Sequence, residues 1–369
     1  MIEPRNRWSL AMLLLVPLPL LAQKLQAGDG LVCLLSGLAI LPLAVALGTA
    51  TEELALALGP TLGTLLTALF GNASELIIAV SALRAGLVEI VKASITGTVL
   101  ANLLLALGLS FLLGGIGRSE QTFTPASVRV NGSLMTLAVL AILIPSLSHL
   151  GLAGEGPPAL SSELAFSRFV AWLLLLVYGL TLVFSLGTHR RLRQVAVEEV
   201  GGSSGPETPP VLPWLLVLLA ATAGLAWESE TFVGVLEPVT EGLGLSSLFT
   251  GVVLLPLLGG VAEFVTAVSM ARRDKIELAV ELSMGSTLLV ALLVVPLLVL
   301  VSPLLGHPLT LSFRLYELVA VIMAVVVSNL VSLDGRSNWL EGVLLLATYG
   351  ILAAGFAIQT TPLQAAPLS

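Results

Sequence analysis

Two glutamates stand where acids are costly. Glu75 lies in Gly71-Asn72-Ala73-Ser74-Glu75 and Glu263 in Gly259-Gly260-Val261-Ala262-Glu263, each near the middle of a long apolar run. A carboxylate in hydrocarbon is expensive unless it is neutralised or faces a polar cavity, so an acid inside a membrane span marks a functional site by default. A protonated glutamate that merely bonds a neighbouring helix is the alternative, and it suits a symmetric pair less well. Two such carboxylates, with backbone carbonyls freed where glycines loosen the helix, offer the hard oxygen ligands that calcium prefers. Apolar surroundings favour the neutral acid, whereas metal binding requires the anion. Competition between a divalent ion and protons for the same oxygens is sufficient for antiport.

Polar residues near the acids complete a candidate ligand set. Asn72 precedes Glu75, and the span after each acid carries Thr98 and Asn102 in one case and Ser286 in the other. Their oxygens can fill a metal shell, although hydroxyls in membrane helices also bond their own backbone. Gly71 and Gly259-Gly260 serve either close helix packing or site building. Pro256 and Pro296 suggest kinks in their helices. A second acidic pair, Glu52 and Glu230, closes two further spans and suits the admission of cations or protons, though an acid at a helix end is cheap to solvate. The proposed metal ligands are therefore Glu75, Glu263, Asn72, Asn102, Ser286 and Thr98, with Glu52 and Glu230 on the ion path.

The elements that must position these residues are membrane helices. Of 369 residues, 56% are hydrophobic and 11% charged, with a mean hydropathy of +1.03. A soluble domain carries about 25% charge, so a soluble enzyme is excluded. Runs of about 20 apolar residues fall at 9–26, 30–49, 61–82, 93–115, 129–149, 166–187, 211–227, 246–270, 279–303, 313–333 and 339–358, predicting about eleven helices. Arg5 and Arg7 before the first run also allow it to be read as a signal peptide. Basic residues cluster on one side: Arg5, Arg7, Arg118, Arg129, Arg190, Arg191, Arg193, Arg272, Arg273, Lys275 and Arg336 against Lys24, Arg84, Lys92, Arg168 and Arg314. The positive-inside rule then puts the N-terminus in the cytoplasm. A formal charge of -7 supplies no basic excess for nucleic acid.

Residues 63–112 realign on 251–300 at a constant offset of 188 without a gap. The telling identities are Gly71/Gly259, Glu75/Glu263, Ser81/Ser269, Arg84/Arg272, Glu89/Glu277 and Gly97/Gly285. The third predicted span pairs with the eighth, and an odd displacement reverses the second copy across the bilayer. Inverted repeats of this kind build alternating access in secondary transporters. The predicted fold class is an all-α integral membrane protein: a leading helix (1–29), a five-helix repeat (30–187), a flexible linker (188–210) with Gly201, Gly202, Ser203, Ser204, Gly205 and Pro206, and an inverted five-helix repeat (211–369).

With these residues in view, the chain resembles the calcium/proton exchangers of the calcium/cation antiporter superfamily. The resemblance rests on Ala50-Thr51-Glu52, Phe70 to Ile78 and Thr98 to Gly108 in the first half. In the second it rests on Ser229-Glu230, Leu254-Leu255-Pro256, Ala262-Glu263, Gly285-Ser286 and Pro296 to Leu300. It implies eleven helices, proton import coupled to divalent-cation export, Glu75 and Glu263 as ligands alternating between metal and proton, and Glu52 and Glu230 on the ion path. It implies no soluble cofactor; the partners are the transported ions and the lipid bilayer. Three positions depart: Gly260 stands where the family has Asn, Phe264 where it has His, and Leu289 where it has Gln. The departures bear on ion selectivity and leave manganese as an alternative cation. The family's acidic helix between the halves is reduced to Glu198, Glu199 and Glu207, and the short N-terminus favours a prokaryotic cytoplasmic membrane.

Rival classes fare worse. An intramembrane enzyme needs a nucleophile-base pair or a metal cluster, yet His149, His189 and His307 lie near span ends, Cys33 is the single cysteine, and no zinc or phosphate-binding motif occurs. A non-transporting subunit has no need of a duplicated glutamate. A sodium-coupled exchanger is the nearest rival, and the bare Gly260-Val261-Ala262 stretch argues against it.

Overall fold

The computed structural model describes residues 13–149, 159–187 and 209–358. A short helix α1 (Leu18–Lys24) precedes α2 (Asp29–Phe70), α3 (Ala73–Arg84), α4 (Val88–Gly115), α5 (Pro125–His149) and α6 (Leu160–Gly187). The second half holds α7 (Val211–Gly242), α8 (Ser247–Val261 running on to Glu263–Arg272), α9 (Ile276–Leu305), α10 (Leu315–Ser332) and α11 (Trp339–Ile358). Among the described residues eight helices are long and apolar enough to cross a membrane, or nine if the bent α8 counts as one span. This is fewer than the eleven predicted. The first four residues of the predicted first span with Arg5 and Arg7 before it, and all but the last two residues of the predicted linker, lie outside the described residues, as does 359–369.

Two predicted span ends need correction. The run expected to stop at residue 49 continues to Gly59, where φ is +80°. Glycine tolerates that conformation, and the following Pro60 drives its predecessor out of helical geometry, so a bend replaces the expected helix end. The seventh span, expected to end at 227, continues to Gly242. Glu52 and Glu230 therefore lie inside helices rather than at their ends.

The helices that carry the glutamates are interrupted where the acids stand. The predicted continuous span 61–82 is broken at Gly71-Asn72, where Asn72 adopts φ -119° and ψ 34°. The two segments of α8 meet at 63°. Three π-helical turns widen helices of the bundle: Ala101–Ala106 in α4, Thr250–Leu254 in α8 and Val290–Val294 in α9. Pro256 and Pro296 follow the latter two closely. A proline's missing N–H disrupts the regular helical ladder.

Small residues let α4 and α8 touch along their backbones. A side chain at Gly97 would meet the Val252 carbonyl, and one at Gly251 would meet Ala93 and the Ile90 carbonyl. The ends of the same two helices share one cation. Arg118 donates to the carbonyls of Gly114 (2.5 Å), Ala271 (3.4 Å) and Arg272 (3.5 Å), and pairs with Asp274 at 3.3 Å. A guanidinium there satisfies carbonyls that a helix C-terminus leaves open and suits its negative end. At the opposite ends, the segment before α10 is tied down by serines: Ser302, Ser167 and Ser146 accept from the N–H groups of Leu309, Leu311 and Phe313.

Candidate ion-binding site

The break at Gly71-Asn72 places Glu75 in the first turn of α3, and the bend in α8 brings Glu263 to the start of its second segment. Both acids thus stand at the positive end of a half-helix, which stabilises an anion there. Glu75 lies against the first segment of α8: a Cβ at Gly259 would lie 3.4 Å from Glu75 Cγ and 3.6 Å from its Oε1. Glu75 reaches across to α8 one turn ahead of Glu263. Its Oε2 accepts from Ser74 Oγ at 2.9 Å.

Glu263 is held by a two-step relay that joins the halves. Asn72 Nδ2 donates to Ser286 Oγ at 2.8 Å, and Ser286 Oγ donates to Glu263 Oε2 at 2.6 Å. Asn72 and Ser286 are both buried. Four sequence-predicted residues, Glu75, Glu263, Asn72 and Ser286, therefore come together from α3, α8, α9 and the break before α3. Among the described residues no group of three or more His, Cys, Asp or Glu side chains converges. The donor set here is two carboxylates with neutral oxygens, which is the chemistry of a hard divalent ion exchanged for protons.

The other predicted residues sit differently. Thr98 gives its hydroxyl proton to Ser94 O at 2.9 Å in its own helix, so it is not bonded to a glutamate. Asn102 is buried in the π turn of α4, with no partner for its Nδ2 among the described residues. Glu52 is exposed on α2. Glu230 is exposed and paired with Arg84 at the end of α3. Neither joins the central cluster.

Sequence reasoning missed Glu228 and took Ser229 only as part of its motif with Glu230; both are buried in α7, with Glu228 Oε2 and Ser229 Oγ lacking partners among the described residues. The signal was present in the spacing: Leu225, Glu228 and Phe232 recur on one helix face, and all three are buried. The role of Ser74 on Glu75 was also missed.

Discontinuous helices that bring facing carboxylates together inside a multi-pass membrane bundle define a secondary ion transporter. The chain belongs to the sodium/calcium exchanger protein family, which matches residues 30–187 and 213–357. It is 47% identical to a Ca2+/H+ antiporter of Synechocystis sp. over 97% of this chain and 99% of that one. It is 38% identical to the Ca2+/H+ antiporter ChaA of Bacillus subtilis over 92% and 96% of the two chains. The solved structure of native YfkE superposes with a TM-score of 0.80 at 36% identity, covering 94% of this chain and 99% of that one.

Proposed function

We propose that this protein exchanges calcium for protons across the membrane it spans, with Glu75 and Glu263 binding metal and protons in turn. The observation that carries the reading is the meeting of these two acids at helix breaks, Glu75 against Gly259 and Glu263 on the Asn72–Ser286 relay. It is supported by the relatives named as Ca2+/H+ antiporters. Calcium binds when both carboxylates are ionised; protons arriving from the other side neutralise them and release it. Asn72, Asn102, Ser286 and Thr98 contribute neutral oxygens to the shell, and Glu52 and Glu230 receive ions at the two approaches.

The finer architecture we infer is a leading helix followed by two five-helix repeats of opposite direction, eleven spans in all, with the repeats at 30–187 and 211–369 joined by 188–210. Its supports are the constant offset of 188 and the interruption before each glutamate. The Arg and Lys distribution supports a cytoplasmic N-terminus, and the bacterial relatives support a prokaryotic cytoplasmic membrane.

The test is proton movement in proteoliposomes holding a pH dye, with calcium, manganese, magnesium or sodium added outside in turn. Calcium-driven flux is expected. Flux with manganese but not calcium would assign the departures at Gly260, Phe264 and Leu289 to selectivity, and flux driven only by sodium would overturn the proton coupling. In the same vesicles Asn102→Ala is expected to retain partial activity and to raise the half-saturating calcium concentration about fivefold, the loss of one oxygen ligand. An unchanged titration curve would remove Asn102 from the shell.

A further inference from the structure

The relay Asn72–Ser286–Glu263 has a counterpart at the constant offset of 188: Gly260, Thr98 and Glu75. One of the two is built. Gly260 has no amide to give, and Thr98 bonds Ser94 instead of a glutamate. Glu75 is left with local donors, the hydroxyl of its neighbour Ser74 and its own backbone N–H.

The room for the missing amide is filled by Phe264. A Cβ at Gly260 would lie 2.6 Å from Phe264 Cζ and 2.9 Å from its Cε1. The ring is buried and packs with Ala101, Leu105 and Ala106 on the wide turn of α4, and with Tyr349 of α11. That turn also carries Asn102, whose amide nitrogen lacks a partner among the described residues. An apolar ring therefore stands on the Glu75 side where the Glu263 side has an amide and a hydroxyl.

We infer that Phe264, with Gly260 beneath it, is a specificity-determining residue for the divalent cation: it withholds the second relay and makes the site lopsided. Glu263 is fixed by the intact relay from the opposite repeat. Glu75 is held locally, by the Ser74 hydroxyl and its own backbone N–H. The inference rests on the proposed exchange and deepens it.

The test is a mutant cycle read as the half-saturating calcium concentration in proteoliposomes. Gly260→Asn with Phe264→Ala supplies the amide and the space together, and the concentration is expected to fall about fivefold, one restored hydrogen-bond relay. Gly260→Asn alone and Phe264→Ala alone are expected to give none of that gain, because each supplies one requirement only. The whole gain from Gly260→Asn alone, or a wild-type value for the double variant, overturns the inference. A merely structural role for the ring cannot raise affinity on its removal.

Asn72→Ala is a second test that leaves 260 and 264 untouched. It dismantles the built relay and is expected to raise the half-saturating concentration about fivefold; no change overturns the inference even if the double variant does not fold. Wild-type vesicles separate the two readings. If they show no calcium-driven proton movement, the exchange reading fails and takes this one with it; if they do, a failed cycle counts against Phe264 alone.

Discussion

Glu75→Gln and Glu263→Gln are each expected to abolish calcium-driven proton movement in proteoliposomes, by at least about a hundredfold, because an amide can neither neutralise a divalent ion nor carry the exchanged proton. Both variants should still fold. A glutamine oxygen can accept the same bonds from Ser74 or Ser286 that the carboxylates accept. Thermal melts within about 2 °C of wild type in detergent are therefore expected, a shift that corresponds to less than about 1.5 kcal/mol for a chain of this size. Substantial transport by both variants would sink the site assignment. Melting alone, without loss of transport, would recast the acids as structural.

Gly97→Val is expected to have the largest effect on folding. A Cβ at 97 would lie 2.6 Å from both Val252 Cα and Pro256 Cγ and would press on the Val252 carbonyl. Backbone cannot yield as a flexible side chain does, and the cost should exceed about 3 kcal/mol. A Cβ at the sequence-equivalent Gly285 would meet no neighbouring element within 4 Å, so Gly285→Ala should change stability by less than about 1 kcal/mol. Yield of monodisperse protein and its melting temperature decide both. Equal tolerance at 97 and 285 would show that α4 and α8 can separate there.

The apolar runs made most of the spans legible, because hydrocarbon leaves a continuous chemical signature that needs no tertiary information. Span ends were harder. Leucine and alanine continue on either side of Gly59, and only backbone geometry shows whether the helix there ends or bends. The glutamates were legible from their cost, and the structure brings them near Asn72 and Ser286. Thr98 was not, since whether a hydroxyl serves a neighbouring helix or its own backbone is decided by one rotamer. Glu230 drew notice by its motif, while Glu228, two residues earlier on another face of α7, is the buried one. The compensation between Gly260 and Phe264 was invisible for a different reason. It depends on one ring folding back over one turn, and the sequence displays the two residues as separate losses.

The guanidinium of Arg118 has a mechanical consequence. It joins the end of α4 to the end of α8 through the Ala271 and Arg272 carbonyls and Asp274, so parting these helices would strip a charged group of those three partners together. The contact between α2 and α7 is of another kind: Gly37 rests on Phe232, and Gly224 on Leu43. Such apolar contact has no preferred direction and resists shear weakly. Opening to alternate sides is thus expected as a glide of α2 and α7 along a clamped frame, and a cross-link between those two helices should stall turnover while one between α4 and α8 should not.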